Sequence, residues 1–260
     1  TELVVGALHR VLAWDVRRGV VTKEFGARTG RADADGEVTC VALDAAGHVL
    51  VAGRAGGRVD VWDFDSPQAV VPDRAASAAS LDAKGNPAPP ALAHPLPPRV
   101  SFAGHHGVVS AVCISSDGSL VATGGRDTFV CVWDPVAETG LFRLKGHKDE
   151  VTRLAFFSGS GVGVSGTGAR PTLVSSSKDT TLKVWDLDTQ RCACTVAEHP
   201  TSVWSFALLE DAVQRHADAN EDDADDGGAG TAGTTDAAPA PACLVFTGSS
   251  DGLLRGFRLD

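Results

Sequence analysis

Four Trp-Asp pairs punctuate the chain: Trp14-Asp15, Trp62-Asp63, Trp133-Asp134 and Trp185-Asp186. Each ends an alternating apolar stretch, preceded by a turn of small residues and another such stretch. Alternation with a period of two marks a β-strand, because successive side chains leave a strand on opposite sides. The recurrence of a whole strand–turn–strand unit constrains the fold more than any single strand does. Such a unit buries its apolar face only against its neighbours, so the units must stack.

The third repeat shows the frame, with its strands named a to d. Strand a covers 108–115, b covers 120–124, c covers 129–134 and d covers 141–144; Ser, Asp and Gly fill the a–b turn and suit tight reversals. The next repeat follows with 151–157, 172–176, 182–186 and 192–196. In both, a turn acid stands six residues before the tryptophan: Asp127 before Trp133, and Asp179 before Trp185. The last segment keeps Thr247 and Asp251 but has Phe257 where tryptophan would stand. Earlier repeats are looser: Gly56 replaces the turn acid in one and Leu8 in the other. The segments read b-c-d, then three full repeats, then a-b-c. The predicted fold is all-β, a β-propeller present as an incomplete arc of about four to five blades with partial blades at both ends. The absence of methionine also reads as a fragment or a processed chain.

Irregular spacing of the aromatic markers is absorbed by three insertions, at about 66–98, 158–170 and 211–241, expected as flexible loops. Removing them restores a period near ~40 residues, the spacing of propeller blades. One joins c to d and two join a to b, so all three decorate one face and leave the b–c and d–a turns uncluttered. The net charge is −10, yet residues 210–241 hold nine acids against the single base Arg215. The rest is nearly neutral, which argues neither for nor against RNA contact. No apolar run reaches the roughly 18 residues needed to cross a membrane as a helix.

Gly-His dipeptides precede strand a at Gly104-His105 and Gly146-His147. With a strand-b hydroxyl, the turn acid and the strand-c indole they make two sets, His105/Thr123/Asp127/Trp133 and His147/Ser175/Asp179/Trp185. Ser, His and Asp together suggest a catalytic triad, but a set that recurs in successive repeats is a structural polar network that satisfies buried groups. Phe257 cannot donate, so the last segment is expected to hold a truncated network. No catalytic residue is assigned and the chain reads as non-enzymatic. Gly161-Val162-Gly163-Val164-Ser165-Gly166 fits a dinucleotide fingerprint in letters only, because it lies between strands with no helix after it; no cofactor is expected. The six cysteines form no zinc-type cluster, so no metal is expected, and they read as small buried hydrophobes in a reducing compartment. Arg54, Arg126, Lys145, Lys148 and Lys178 fall at the uncluttered turns and form the candidate partner-facing surface, open to a phosphate-bearing partner.

The repeats resemble the WD-repeat family across essentially all of the ordered sequence. A narrower resemblance lies in Gly140-Leu-Phe-Arg-Leu-Lys-Gly-His-Lys-Asp-Glu-Val-Thr152 and Ser177-Lys-Asp-Thr-Thr-Leu-Lys-Val-Trp-Asp-Leu-Asp-Thr-Gln190. These strings, and Trp204 within Ser202–Leu208, are similar to the first propeller of the WD repeat-containing protein 3 family, the tandem-propeller subunit of the UtpB subcomplex. That resemblance implies a nucleolar scaffold of the small-subunit processome. It would work with a box C/D guide ribonucleoprotein in maturing small-subunit ribosomal RNA, with protein subunits and small nucleolar or pre-ribosomal RNA as partners, and neither membrane nor small-molecule substrate. It carries over no catalytic residue. Trp14-Asp15-Val16-Arg17 supports a second reading, a substrate receptor of a cullin-type ubiquitin ligase contacting its adaptor through Arg17; the longer form of that motif wants an acid where this chain has Leu8.

Overall fold

The computed structural model describes residues 2–26, 36–69, 95–157, 172–209 and 243–259. They fall into two compact units, Thr1–Leu154 and Ala155–Asp260. In the first, β1 (Glu2–Ala7), β2 (Arg10–Asp15) and β3 (Val20–Gly26) form a three-stranded sheet. Four-stranded sheets follow: β4 (Val38–Leu43), β5 (Val49–Arg54), β6 (Arg58–Asp63) and β7 (Val100–Ala103), then β8 (Val109–Ile114), β9 (Val121–Gly125), β10 (Val130–Asp134) and β11 (Thr139–Leu144). β12 (Val151–Phe157), inside which the two units divide, is in sheet with β13 (Thr172–Ser177), β14 (Leu182–Asp186) and β15 (Arg191–Val196). β16 (Val203–Leu209), β17 (Cys243–Ser249) and β18 (Leu254–Leu259) make a last three-stranded sheet. Every strand pairs with its sequence neighbour, so the eighteen described strands run in the expected b-c-d, four-strand and a-b-c series. The fold is all-β, an incomplete WD-repeat propeller. No described helix is long and apolar enough to cross a membrane.

The near-continuous apolar run of β5 is explained by burial on both sides. Leu50 and Ala52 pack with Val11, Ala13 and Phe25, while Val51 between them packs with Val109 and Val121. One aromatic step repeats between sheets of the first unit. Phe25 of β3 meets Trp62 of β6 edge-on at 6.1 Å, and Phe102 of β7 stacks on Trp133 of β10 at 4.8 Å. Trp62 and Trp133 are thereby 1% and 6% exposed, whereas Trp14 is 37% exposed, on a face it shares with its cross-strand neighbour Leu3.

The aspartate of each pair has a different task. Asp15, Asp134 and Asp186 each accept two backbone N–H groups of the following turn, at 2.8–3.3 Å, and Asp63 accepts one at 3.1 Å. The hydrogen bond from Thr189 helps hold the Asp186 carboxyl below its ordinary range. Trp62 and Trp133 thus face the neighbouring sheet, while the aspartate of every pair closes its c–d turn.

The b–c turns need a left-handed residue. Gly57 (φ 83°) and Gly252 (φ 78°) supply it easily, but Thr128 (φ 69°) and Thr180 (φ 72°) stand at the same place. A β-branched residue there is strained. Thr128→Gly is expected to stabilise the first unit by about 1 kcal/mol after the entropy of glycine is set against the relieved strain; a lowered denaturation midpoint would refute it.

Of the expected insertions, 158–170 and 211–241 lie outside the described residues, as do 70–94 of the first. The ends of the first are built into the fold. Pro67–Ala69 forms a 3₁₀ turn with Ala69 buried. Leu96 exchanges backbone hydrogen bonds with Glu24 and Gly26 of β3, at 3.1 and 3.0 Å respectively. The cysteines also depart in part from expectation: Cys131 is buried, but Cys192 and Cys194 are exposed, because β15 is the outer strand of its sheet.

Candidate functional site

The b–c and d–a turns are held by polar sets. In the third repeat the Trp133 indole donates to Thr123 Oγ1 (2.9 Å), Thr123 Oγ1 meets His105 Nε2 (2.9 Å), and His105 Nδ1 donates to Asp127 (2.9 Å). Asp127 also accepts the backbone N–H of His106 (2.9 Å) and of Phe129 (3.3 Å), so one carboxylate ties the d–a turn to the b–c turn. Burial raises the Asp127 pKa, but the His105 and His106 hydrogen bonds outweigh it and leave the carboxyl below its ordinary value. Gly104 is required by this packing, since a Cβ there would lie 2.4 Å from the Trp133 ring.

In the second unit Trp185 donates to Ser175 Oγ (2.7 Å), and Asp179 accepts from the backbone and hydroxyl of Thr181. His147 is buried at 6% exposure and belongs to the first unit. The last repeat has no indole to donate, yet its set gains a further member. Thr247 Oγ1 meets His199 Nε2 at 3.0 Å, and Arg255, which the spacing argument missed, pairs with Asp251 at 2.7 Å and bonds Ser249 Oγ at 3.0 Å. Phe257 lies edge-on to the His199 ring at 5.4 Å, so it fills the tryptophan's volume without its hydrogen bond. Burial, then the Arg255 charge, lower the His199 pKa below 6.5. The unfolded imidazole takes a proton more readily than the folded one, so this contribution to stability is present above pH 6.5 and is lost as the pH falls through the lowered value. Stability of the second unit is expected to fall as the pH drops below 6.5, and His199→Gln to flatten that fall; an unchanged pH profile in the variant would refute the assignment.

Arg54 corrects the surface reading. It is 1% exposed, ion-paired with Asp60 of β6 (5% exposed), and its Nη1 reaches the His9 and Gly36 carbonyls at 3.3 Å. Counting back from the tryptophan, Arg54 stands where the third repeat has Gly125. A Cβ on Gly125 would come within 2.7 Å of both Asp127 and His105. The second repeat has Gly56 for that acid and Ala52 for Thr123, and the guanidinium turns inward in that frame. Trp62, without its hydroxyl partner, donates instead to the Leu96 carbonyl at 3.0 Å.

The other basic residues stay near the surface. Arg126 is exposed and pairs with Glu150 at 3.4 Å. Lys145 lies 5.6 Å from the Phe129 ring centroid, and Arg143, not anticipated from sequence, lies 5.0 Å from it. Lys148 is exposed beside Asp149. In the first unit Arg143 and Lys145 thus flank the Phe129 ring, and the Arg126–Glu150 pair adds charge of both signs at the turns. Lys178, in the second unit, is half-buried with its ammonium 4.9 Å from the Trp204 centroid. Among the described residues no group of three or more His, Cys, Asp or Glu is placed to hold a metal ion.

The family described as WD domain, G-beta repeat matches residues 28–63, 97–134 and 139–186. The chain carries WD40 repeats. Several proteins with similar sequence are known. Phospholipase A-2-activating protein of Xenopus laevis is 37% identical over 42% of the chain. Small ribosomal subunit protein RACK1 of Schizosaccharomyces pombe is 37% identical over 35%, and U3 small nucleolar RNA-associated protein 12 of Saccharomyces cerevisiae is 30% identical over 46%. The chain spans 12%, 26% and 16% of these relatives respectively. The matched WD40 segments contain Trp62, Trp133 and Trp185 but not Trp14.

Proposed function

We propose that the WD40 repeats of this chain act as a non-enzymatic scaffold in a nucleolar pre-ribosomal assembly. In this reading they hold protein subunits near a box C/D guide ribonucleoprotein during maturation of small-subunit ribosomal RNA. The observation that carries the platform role is the third repeat's turn surface. Its b–c turn, which the Asp127 carboxylate ties to the preceding d–a turn, presents Arg126 paired with Glu150, and Arg143 and Lys145 lie over the Phe129 ring that follows it. Locked turns lose little freedom on binding. Interspersed charge of both signs suits a protein partner better than a phosphate backbone. The ribosomal setting is supported by the 140–152 and 177–190 strings and by similarity to the U3 small nucleolar RNA-associated protein.

Affinity capture of the full-length protein tests the proposal. Pre-ribosomal proteins and U3 small nucleolar RNA are expected to co-purify, and Arg126→Glu with Lys145→Glu to reduce their recovery while leaving the fold stable. The ubiquitin-ligase reading is favoured by one observation, that Arg17 is exposed on the turn closed by Asp15. Recovery of a cullin adaptor that Arg17→Ala abolishes, without pre-ribosomal components, would replace the scaffold reading.

A further inference from the structure

The last repeat ties its turns together differently from the third, and the difference begins with one residue. In the third repeat His105 and His106 stand four and three residues before Val109, where the β8 bulge begins. In the last, His199 and Pro200 stand four and three residues before Val203, where the β16 bulge begins. The His105 ring and the His106 backbone N–H both reach Asp127. Proline has no N–H to give, and Arg255 fills the gap. It ion-pairs with Asp251 at 2.7 Å, and its Nη1 reaches His199 Nδ1 at 3.5 Å. A cation therefore joins the b–c turn of the last repeat to its d–a turn.

Arg255 also fixes which ring nitrogen carries the proton. A guanidinium only donates, so neutral His199 accepts on Nδ1 and carries its proton on Nε2. That proton goes to Thr247 Oγ1 at 3.0 Å, whose own hydrogen goes to the Arg255 carbonyl at 3.2 Å. The third repeat runs the other way: Trp133 donates to Thr123, Thr123 to His105 Nε2, and His105 Nδ1–H to Asp127. A second proton has opposite consequences in the two places. On His105 it sets an imidazolium against a carboxylate. On His199 it lands on Nδ1, removes the acceptor and sets an imidazolium against a guanidinium.

We infer that His199 and Arg255 form an acid-operated release in the last repeat: protonation of His199 Nδ1 breaks the Arg255 tie to the d–a turn, while the third repeat keeps its own. The ring also faces Thr247 of β17 and Phe257 of β18, and neither can take up the added charge. Asp251 and Glu198 favour the charged ring, but burial and then the Arg255 charge oppose it and prevail. After release the guanidinium keeps its ion pair with Asp251, so only the contact with the ring is lost. Thr201 Oγ1, in the same d–a turn, is buried with no hydrogen-bond partner among the described residues and adds no hold. The bond from the Ser250 N–H to the Ser202 carbonyl, at 3.0 Å, joins the same two turns and reports whether they stay together.

The test is NMR of the isotope-labelled whole chain, from neutral pH down through the His199 titration. At neutral pH His199 is expected as the Nε2–H tautomer and His105 as the Nδ1–H tautomer. As His199 takes up its proton, hydrogen-exchange protection of the Ser250 amide should fall by at least about tenfold, with the His106 amide unchanged. In His199→Gln, whose side chain takes up no proton, the Ser250 protection should stay flat over the same range. A His199 protonated on Nδ1 at neutral pH, Ser250 protection that survives the titration, or equal loss at His106 would overturn the inference. The tautomers and the Ser250 amide are read on the parent chain, so the test holds even if His199→Gln fails to fold.

Discussion

Trp133→Ala is expected to destabilise the first unit by about 3–5 kcal/mol, the range for emptying a large aromatic site in a well-packed core. The indole is 6% exposed and stacked 4.8 Å from Phe102, so truncation leaves a cavity between two sheets. It also removes the donor at the head of the chain through Thr123 and His105 to Asp127, the link that ties the two turns. Trp133→Phe keeps most of the volume and loses the donor, so its cost should be nearer 1–2 kcal/mol. Trp14→Ala provides the contrast. Trp14 carries the same two-residue signature but is 37% exposed, and its truncation should cost about 1 kcal/mol or less. Urea unfolding of the three variants measures the series. Equal midpoints for Trp133→Ala and Trp14→Ala would mean that the aromatic steps between sheets do not hold the fold.

The parts of this fold that could be read in advance obey local rules. Alternation places strands without knowledge of their neighbours, and the six-residue interval from Asp127 to Trp133 reports a turn that needs both ends. The polar set of the third repeat was legible for the same reason: each member sits at a fixed place in a unit that recurs. Arg54 was not legible by that logic, because a charged residue next to a turn usually lies in water. Its burial depends on what the repeat lacks, the acid at Gly56 and the hydroxyl at Ala52. The available signal was Asp60, an acid between Val59 and Val61 in a strand-c run, where the third repeat has Cys131. A carboxylate at a core position requires a partner, and the only question was which cation could reach it. Leu96 escaped notice because it stands in a Pro- and Ala-rich stretch whose composition says nothing about one residue. Arg255 and Arg143 were missed because spacing rules weigh small turn residues and tryptophans, and an arginine has the length to join a network from outside the frame.

Arg54→Met is expected to destabilise the first unit by about 3–5 kcal/mol, the cost of leaving a buried charge without its partner. The pair is enclosed, with Arg54 1% and Asp60 5% exposed, and after the substitution Asp60 keeps only the Ser101 hydroxyl as a side-chain donor among the described residues. The double variant Arg54→Met/Asp60→Leu separates charge from packing. Replacing a buried ion pair by apolar side chains of similar volume is often neutral or stabilising by 1–4 kcal/mol. Arg54 has a specific reason to follow that pattern: its Nη2 is buried with no hydrogen-bond partner among the described residues, so the native pair already bears an unmet donor. The double variant should therefore recover the parent's stability or exceed it, and the two substitutions should show a large coupling in a mutant cycle. A double variant as unstable as Arg54→Met alone would show that the bonds from Nη1 to the His9 and Gly36 carbonyls, and not the pairing with Asp60, give Arg54 its place in the second repeat.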